Sequence, residues 1–250
     1  MKQHYLLRQL GVLAFMACSL CTKAQSFKQM LPTTAPYFTN PKNLVTLNNG
    51  TIFFIASDPT HGEEVWVSGP GGVLEGTHMV QDIASGTMTS GPESLTAVGN
   101  KVFWSAQDGT DGRELYVSDG TTTTKLNINS TAGPFTPSNP TELHAINGKL
   151  YFAANDGING NELWVSDGGA VASGHTYMLA DINTSSPSFA SSSDPREMTV
   201  MGSYIYFSAN NGVVGRDLWV TDGISAVERM VTNFSSGNDP QNLTACNGKL

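Results

Sequence analysis

Short apolar runs recur along the chain, each broken by glycine, asparagine or aspartate. Residues 92–128 show the pattern clearly. Leu95 to Val98 follows Pro92 and ends at the turn dipeptide Gly99-Asn100. Lys101 to Ala106 is rich in Val, Phe and Trp, and stops at Asp108-Gly109-Thr110-Asp111-Gly112. Glu114 to Ser118 alternates Leu115 and Val117 with Glu114, Tyr116 and Ser118, and Asp119-Gly120 follows. Lys125 to Ile128 closes the unit. Runs of this length, with period-two alternation and turn residues between them, predict four β-strands. No segment beyond the first 21 residues sustains the 3.6-residue apolar period of a helix.

The unit repeats. Trp66, Tyr116, Trp164 and Trp219 lie 50, 48 and 55 residues apart. Twelve residues before each stands another aromatic: Phe54, Trp104, Phe152 and Phe207. Eight before each is Asp58, Asp108, Asp156 or Asn211, and four before each is Gly62, Gly112, Gly160 or Gly215. A proline also precedes an apolar residue by three positions five times: Pro41/Leu44, Pro92/Leu95, Pro140/Leu143, Pro195/Met198 and Pro240/Leu243. The fifth copy runs Asn247-Gly248-Lys249-Leu250 and stops where the third continues into Tyr151-Phe152. This predicts a fragment cut inside a strand.

A period near fifty with four strands per copy favours a β-propeller, in which each blade is a four-stranded sheet. One such unit buries too little surface alone and needs neighbours stacked on it. Both faces of its third strand must then be apolar, the aromatic on one side and Leu/Val on the other. The expectation is an all-β chain of tandem four-stranded blades, about four complete, forming an incomplete ring. The repeats span about 43–91, 92–139, 140–194 and 195–239, with a partial copy at 240–250, in a repeat region 43–250. Residues 25–42 form an N-terminal segment, with Phe27 to Leu31 a candidate closing strand. Length variation concentrates between the third-strand turn and the next proline, for example in the serine-rich Thr184 to Asp194. Those loops are expected on one surface, a candidate binding face.

Charge and the amino terminus place the chain. Lys2 and Arg8 precede the apolar run Leu10 to Cys21, and Thr22-Lys23-Ala24 ends in a small residue. Residues 1–24 therefore read as a secretory signal peptide cleaved after Ala24. The rival reading is a lipoprotein signal acylated at Cys18 or Cys21. The apolar run is too short for a transmembrane segment. The mature chain would keep 10 basic and 21 acidic residues, a formal charge of −11. A nucleic-acid partner and an anionic membrane surface are disfavoured, because phosphate binding needs a basic face. Only Cys246 survives cleavage, so no intrachain disulfide is expected.

Glu114-Leu115-Tyr116-Val117-Ser118-Asp119-Gly120-Thr121 and Glu162-Leu163-Trp164-Val165-Ser166-Asp167-Gly168 resemble the ELWxxDGT repeat, sometimes labelled hyalin-like, of secreted and surface proteins of Bacteroidetes and other bacteria. Asn147 to Gly157 is similar to the rest of its consensus. The first copy departs at Glu64-Val65-Trp66-Val67-Ser68-Gly69-Pro70, and the fourth at Asp217 and Ile224. The resemblance covers about residues 41–250. It implies export, secreted or cell-surface localisation, and often a C-terminal sorting domain read by the export machinery. It implies no catalytic residues.

Candidate chemistry is sparse. Asp108 and Asp111, echoed by Asp156 and Asn159, are the best calcium candidates, yet each turn offers two side-chain oxygens where calcium wants six to eight ligands. The simpler expectation is that Asp caps its own turn, and no cofactor or metal is assigned. Glu64, Glu114, Glu162 and Asp217 recur in every copy, which points to a structural role and not to a glycosidase pair. Arg113 and Arg216 are expected to be solvated turn residues. Trp104, in a column otherwise phenylalanine, is a weak candidate for sugar stacking. The function expected is a non-catalytic scaffold that binds an extracellular protein or glycan. The alternatives are a fragment of a carbohydrate-active propeller enzyme with its catalytic residues elsewhere, and a structural surface component.

Overall fold

The computed structural model describes residues 38–69, 76–129, 136–185, 191–223, 229–232 and 239–250. The expected signal peptide and the segment Phe27 to Leu31 lie outside the described residues. Among the described residues sixteen strands form four separate four-stranded sheets. The first holds β1 (Thr39–Thr46), β2 (Ile52–Asp58), β3 (Gly62–Ser68) and β4 (His78–Met79). The second holds β5 (Glu93–Val98), β6 (Lys101–Gln107), β7 (Arg113–Ser118) and β8 (Thr123–Leu126). The third holds β9 (Thr141–Ile146), β10 (Lys149–Asn155), β11 (Asn161–Ser166) and β12 (Thr176–Ala180). The fourth holds β13 (Arg196–Met201), β14 (Tyr204–Asn210), β15 (Arg216–Thr221) and β16 (Arg229–Met230). Every sheet is an antiparallel meander in chain order. These are the tandem blades of a β-propeller.

The aromatics twelve residues apart are direct cross-strand partners. Phe54 opposes Trp66, Trp104 opposes Tyr116, Phe152 opposes Trp164 and Phe207 opposes Trp219. The last three pairs pack on the Leu/Val face of the preceding blade. Trp104 and Tyr116 meet Phe53, Val65 and Val67. Phe152 and Trp164 meet Phe103, Leu115 and Val117. Phe207 and Trp219 meet Tyr151, Leu163 and Val165. Burying side chains of this size is worth about 2 kcal/mol each, so these joints hold the blades together. Among the described residues no core joins the fourth blade back to the first, and the ring is incomplete. The aromatic face of the first blade is covered by Phe38, whose ring centroid lies 5.2 Å from those of Phe54 and Trp66.

The first strands of successive blades contact one another. Blades that fan out from an axis are closest at their inner edges, so β1, β5, β9 and β13 are the inner strands. The first strand begins at Thr39, four residues before the expected repeat start, because Thr39 already pairs with Ser57. The fourth strand of the second blade ends at Leu126 and not at Ile128. Ile128 is buried, but its N–H turns to the Glu114 carboxylate instead of a neighbouring strand.

Two details differ from the sequence expectation. A meander puts alternate connections at opposite ends of the blade, so the length variation does not fall on one surface. In the third blade part of it lies between β11 and β12, where Val171–Ser173 forms a 3-10 turn, and part between β12 and β13. The Asp-Gly turn after the third strand is also an interblade contact. The Tyr151 hydroxyl donates to the Gly223 carbonyl at 3.0 Å.

Candidate functional site

The recurring carboxylates lie inside the joints. Glu64, Glu114, Glu162 and Asp217 are fully buried. Glu114 Oε1 accepts the Ser138 N–H at 2.9 Å, and Oε2 accepts the Ser138 hydroxyl at 2.5 Å. Glu162 takes the Ser193 N–H at 2.8 Å, the Ser193 hydroxyl at 2.5 Å and the Ile182 N–H at 3.0 Å. Glu64 does the same with Ser90, at 3.2 and 2.6 Å, and with the Ala84 N–H at 3.3 Å. Each serine belongs to the next blade, since its carbonyl accepts from Gln107, Asn155 or Asn210 at the end of that blade's second strand. Burial pushes the three glutamates up to about 7, against the pull of the serine and amide hydrogen bonds. Asp217 is one methylene shorter and accepts instead from the Thr232 hydroxyl at 3.1 Å. The three glutamates are interblade latches, whereas the Asp217 bond stays within the fourth blade. Their serine partners escaped the sequence reading, although Ser90, Ser138 and Ser193 each stand two residues before a repeat proline.

The acidic turns cap themselves. Asp108 Oδ1 accepts the N–H groups of Thr110 and Asp111 at 2.8 and 3.1 Å. Asp156 Oδ1 accepts those of Ile158 and Asn159 at 2.8 and 2.7 Å. The calcium candidates are occupied by protein donors. Lys125 Nζ lies 2.8 Å from Asp108 Oδ2 and also binds Asp111 Oδ2, and Asn159 Nδ2 donates to Asp156 Oδ2 at 2.7 Å. Among the described residues no group of three or more His, Cys, Asp or Glu is placed to hold a metal ion.

Arg113 and Arg216 are not solvated turn residues. Arg113 Nη1 donates to the carbonyls of Gly91 and Ser105 at 3.0 and 3.1 Å. Arg216 Nη1 donates to those of Asp194 and Ser208 at 2.7 and 3.1 Å. Each arginine ties the residue before a repeat proline to its own blade's second strand. Trp104 is fully buried against Tyr116, with ring centroids 6.0 Å apart. It is a core residue, and its ring offers no surface for a sugar.

What remains is the start of the inner strands. The second residue after each proline is left-handed: Asn43, Ser94, Glu142, Glu197 and Asn242, with φ between 50° and 61°. In the four complete blades it forms a bulge. Two residues, such as Glu142 and Leu143, stand between Thr141, paired with Ala153, and His144, paired with Tyr151, where the partner strand has only Phe152. The same bulge recurs in β1, β5 and β13. Bulges re-aim side chains, and here the backbone is constant while the side chain changes. Two of the five carry glutamate, in adjacent blades. Glu142 Oε2 accepts the Glu197 N–H at 3.2 Å and lies 3.4 Å from His144 Nε2. That histidine hydrogen bond holds Glu142 below the usual carboxylate range. Val45, Thr96, Thr199 and Thr244 occupy the His144 position in the other copies. Nearby charges are paired in place: Lys42 with Glu63 at 2.9 Å, and Arg196 with Asp239 at 2.6 Å. Glu142, His144 and Glu197 are thus departures from the repeat, and the fold brings the first two side chains against the backbone of the third. The Glu142 carboxylate and the His144 imidazole, with Glu197 carried on the matching bulge of the next blade, can accept hydrogen bonds from a hydroxyl-rich or amide-rich ligand.

No family model and no curated protein matches the chain. Solved structures similar to it include a Mycobacterium tuberculosis puromycin-hydrolyzing peptidase, at 12% identity and TM-score 0.46, over 84% of this chain and 30% of that one. The acylaminoacyl peptidase of Pyrococcus horikoshii is similar at 10% identity and TM-score 0.45, over 76% and 26%. GH43B of a Bacteroides ovatus xyloglucan PUL is similar at 14% identity and TM-score 0.31, over 81% and 42%. The chain spans less than half the length of each. The fold assignment rests on the chain's own sheets and joints.

Proposed function

We propose that this chain is an exported, non-catalytic repeat scaffold of the ELWxxDGT type that binds an extracellular protein or glycan. One observation carries the reading. The buried glutamate and the aromatic pair recur from blade to blade and join the blades, whereas Glu142 and His144 break the repeat and meet the backbone of Glu197 at the inner-strand ends. A regular frame with one irregular mouth suits recognition, with the ligand held by hydrogen bonds to these groups. The leading residues and the acidic balance of the chain support export and argue for a neutral or cationic ligand.

The test is binding of the full chain to glycan arrays and immobilised matrix proteins. The variant Glu142→Gln/His144→Gln/Glu197→Gln should lose binding while its circular dichroism stays unchanged. Unchanged binding by that variant would overturn the assignment of the mouth. Hydrolysis of a glycoside by a longer form of the protein, which the same substitutions leave intact, would favour the carbohydrate-active enzyme with its catalytic residues elsewhere. Self-assembly into sheets without any ligand would favour a structural surface component.

A further inference from the structure

The three glutamate latches share a feature that their joining role does not require. Each buried carboxylate faces serine and amide donors, and among the described residues no Lys, Arg or His lies within ion-pair distance. A buried carboxylate without a counter-cation favours its neutral form. The serine permits that form. Ser90 Oγ lies 2.6 Å from Glu64 Oε2 and 3.4 Å from the Glu63 carbonyl. Ser193 Oγ lies 2.5 Å from Glu162 Oε2 and 3.5 Å from the Asn161 carbonyl. When the carboxylate is charged, the serine hydroxyl donates to it. When the carboxyl is protonated, its O–H donates to Oγ, and at the Glu64 and Glu162 joints the serine hydroxyl turns to the backbone carbonyl beside the glutamate. The joint stays hydrogen-bonded in both states, but only the neutral state buries no charge.

We propose that the Glu64–Ser90, Glu114–Ser138 and Glu162–Ser193 joints are proton-linked clasps, which tighten blade on blade when protonated and loosen when the proton leaves. The charged and titratable groups facing them are few. His61 lies near Glu64, with Asp82 beside that histidine; Lys125 and Tyr116 lie near Glu114, with Asp108 and Asp111 beside the tyrosine; and Asp181 lies near Glu162. The glutamates titrate from an ordinary 4.5 in the unfolded chain to about 7 in the fold. In that window the folded chain holds more protons, so stability is full below 4.5 and falls as pH rises through about 7. Each clasp contributes up to about a tenfold rise in the unfolding equilibrium constant per pH unit. His61, also raised, adds a slope of the same sign above 6.5.

The experiment is urea unfolding of the full chain at a series of pH values from about 4.5 to about 8. The wild type should lose stability steadily between about 5 and about 7 and level off above that. In the background His61→Gln, the variant Glu114→Gln keeps the shape of the neutral clasp and should remove one proton from the slope. The triple variant Glu64→Gln/Glu114→Gln/Glu162→Gln should be flat. A flat wild-type profile, or a slope that Glu114→Gln leaves intact, would overturn the proposal. Infrared spectra of wild-type protein carrying isotope-labelled glutamate provide a readout that needs no variant. A protonated-carboxyl band should persist near pH 6, about 1.5 units above the ordinary glutamate midpoint. Loss of that band together with the exposed glutamates would sink the idea.

Discussion

Substitution of two glycines in one turn separates backbone conformation from blade docking. Gly109 and Gly112 both sit in the turn between β6 and β7, with φ of +80° and +94°. A Cβ on Gly109 would meet nothing within 4 Å. A Cβ on Gly112 would lie 2.8 Å from Pro137 Cβ and 3.4 Å from Pro137 Cα, in the segment that leads into the third blade. Left-handed backbone costs an alanine about 1–2 kcal/mol. That is the whole expected cost of Gly109→Ala. Gly112→Ala bears the same strain and also forces carbon atoms well inside their preferred separation of about 3.5–4.0 Å. Overpacking of this kind costs about 1–3 kcal/mol, for a total of about 2–5 kcal/mol. The assay is urea unfolding followed by tryptophan fluorescence, with thermal melts as a check; in a chain of this size each kcal/mol shifts the midpoint by about 2–4 °C. The excess should depend on the proline. In a Pro137→Gly background, Gly112→Ala should cost no more than Gly109→Ala does, a coupling of about 1–3 kcal/mol. Equal costs for the two alanines, or a coupling below about 0.5 kcal/mol, would refute the claim that this glycine column marks blade-to-blade approach.

Other measurements bear on the joints and the core. Ser138→Ala removes the hydroxyl from the Glu114 latch and should destabilise the chain by about 1.5–3 kcal/mol, read by urea unfolding at neutral pH. Arg216→Ala frees the carbonyls of Asp194 and Ser208 and should cost about 1–3 kcal/mol, with Arg216→Lys recovering only part because a lysine cannot fork to both. Trp104→Phe should be nearly neutral, within about 1 kcal/mol, because the lost ring volume is offset by removal of a buried indole N–H that has no partner. At the acid end, burial pushes Asp58 up but its bonds to His61 and Thr60 win, and it is held at about 2. Its contribution is present above the ordinary 3.8 and lost as pH falls through about 2. Asp58→Asn should therefore flatten the acid limb of a stability–pH profile in that range.

The architecture could be read from the sequence because its signals are periodic in two ways at once. Alternation places Leu115 and Val117 opposite Tyr116 within a strand, and the twelve-residue offset places Trp104 against Tyr116 across strands. Repetition then turns one plausible hairpin into four. The joints were half visible. The glutamate column stood out, but its partner is a serine 24 to 31 residues away in the next blade, across a loop of variable length. Only the constant spacing from serine to proline could have linked the two columns. The arginines were misjudged because a turn position says nothing about which carbonyl lies within reach of a long side chain. The bulge was hidden for a related reason. Its left-handed residue is Asn, Ser or Glu, and none of these declares a positive φ as glycine does.

The candidate site was illegible for the opposite reason. Glu142, His144 and Glu197 match no motif, and each reads alone as an ordinary polar residue on a strand. Their grouping exists only because β9 and β13 run side by side at the inner edge, which brings residues 55 positions apart into contact. A repeat fold treats each column in one of two ways. A column that stays constant is held there by the joint it makes, and substituting it tests stability. A column that varies while its backbone stays fixed is free of that duty, and substituting it tests recognition. The bulge position is such a column. Changing Glu142 and Glu197 to the asparagine found at Asn43 and Asn242 should therefore cost no more than the one bond from the Glu197 N–H to Glu142, about 0.5–1.5 kcal/mol, while altering what the protein binds. A large loss of stability in that pair would move both residues back among the structural columns.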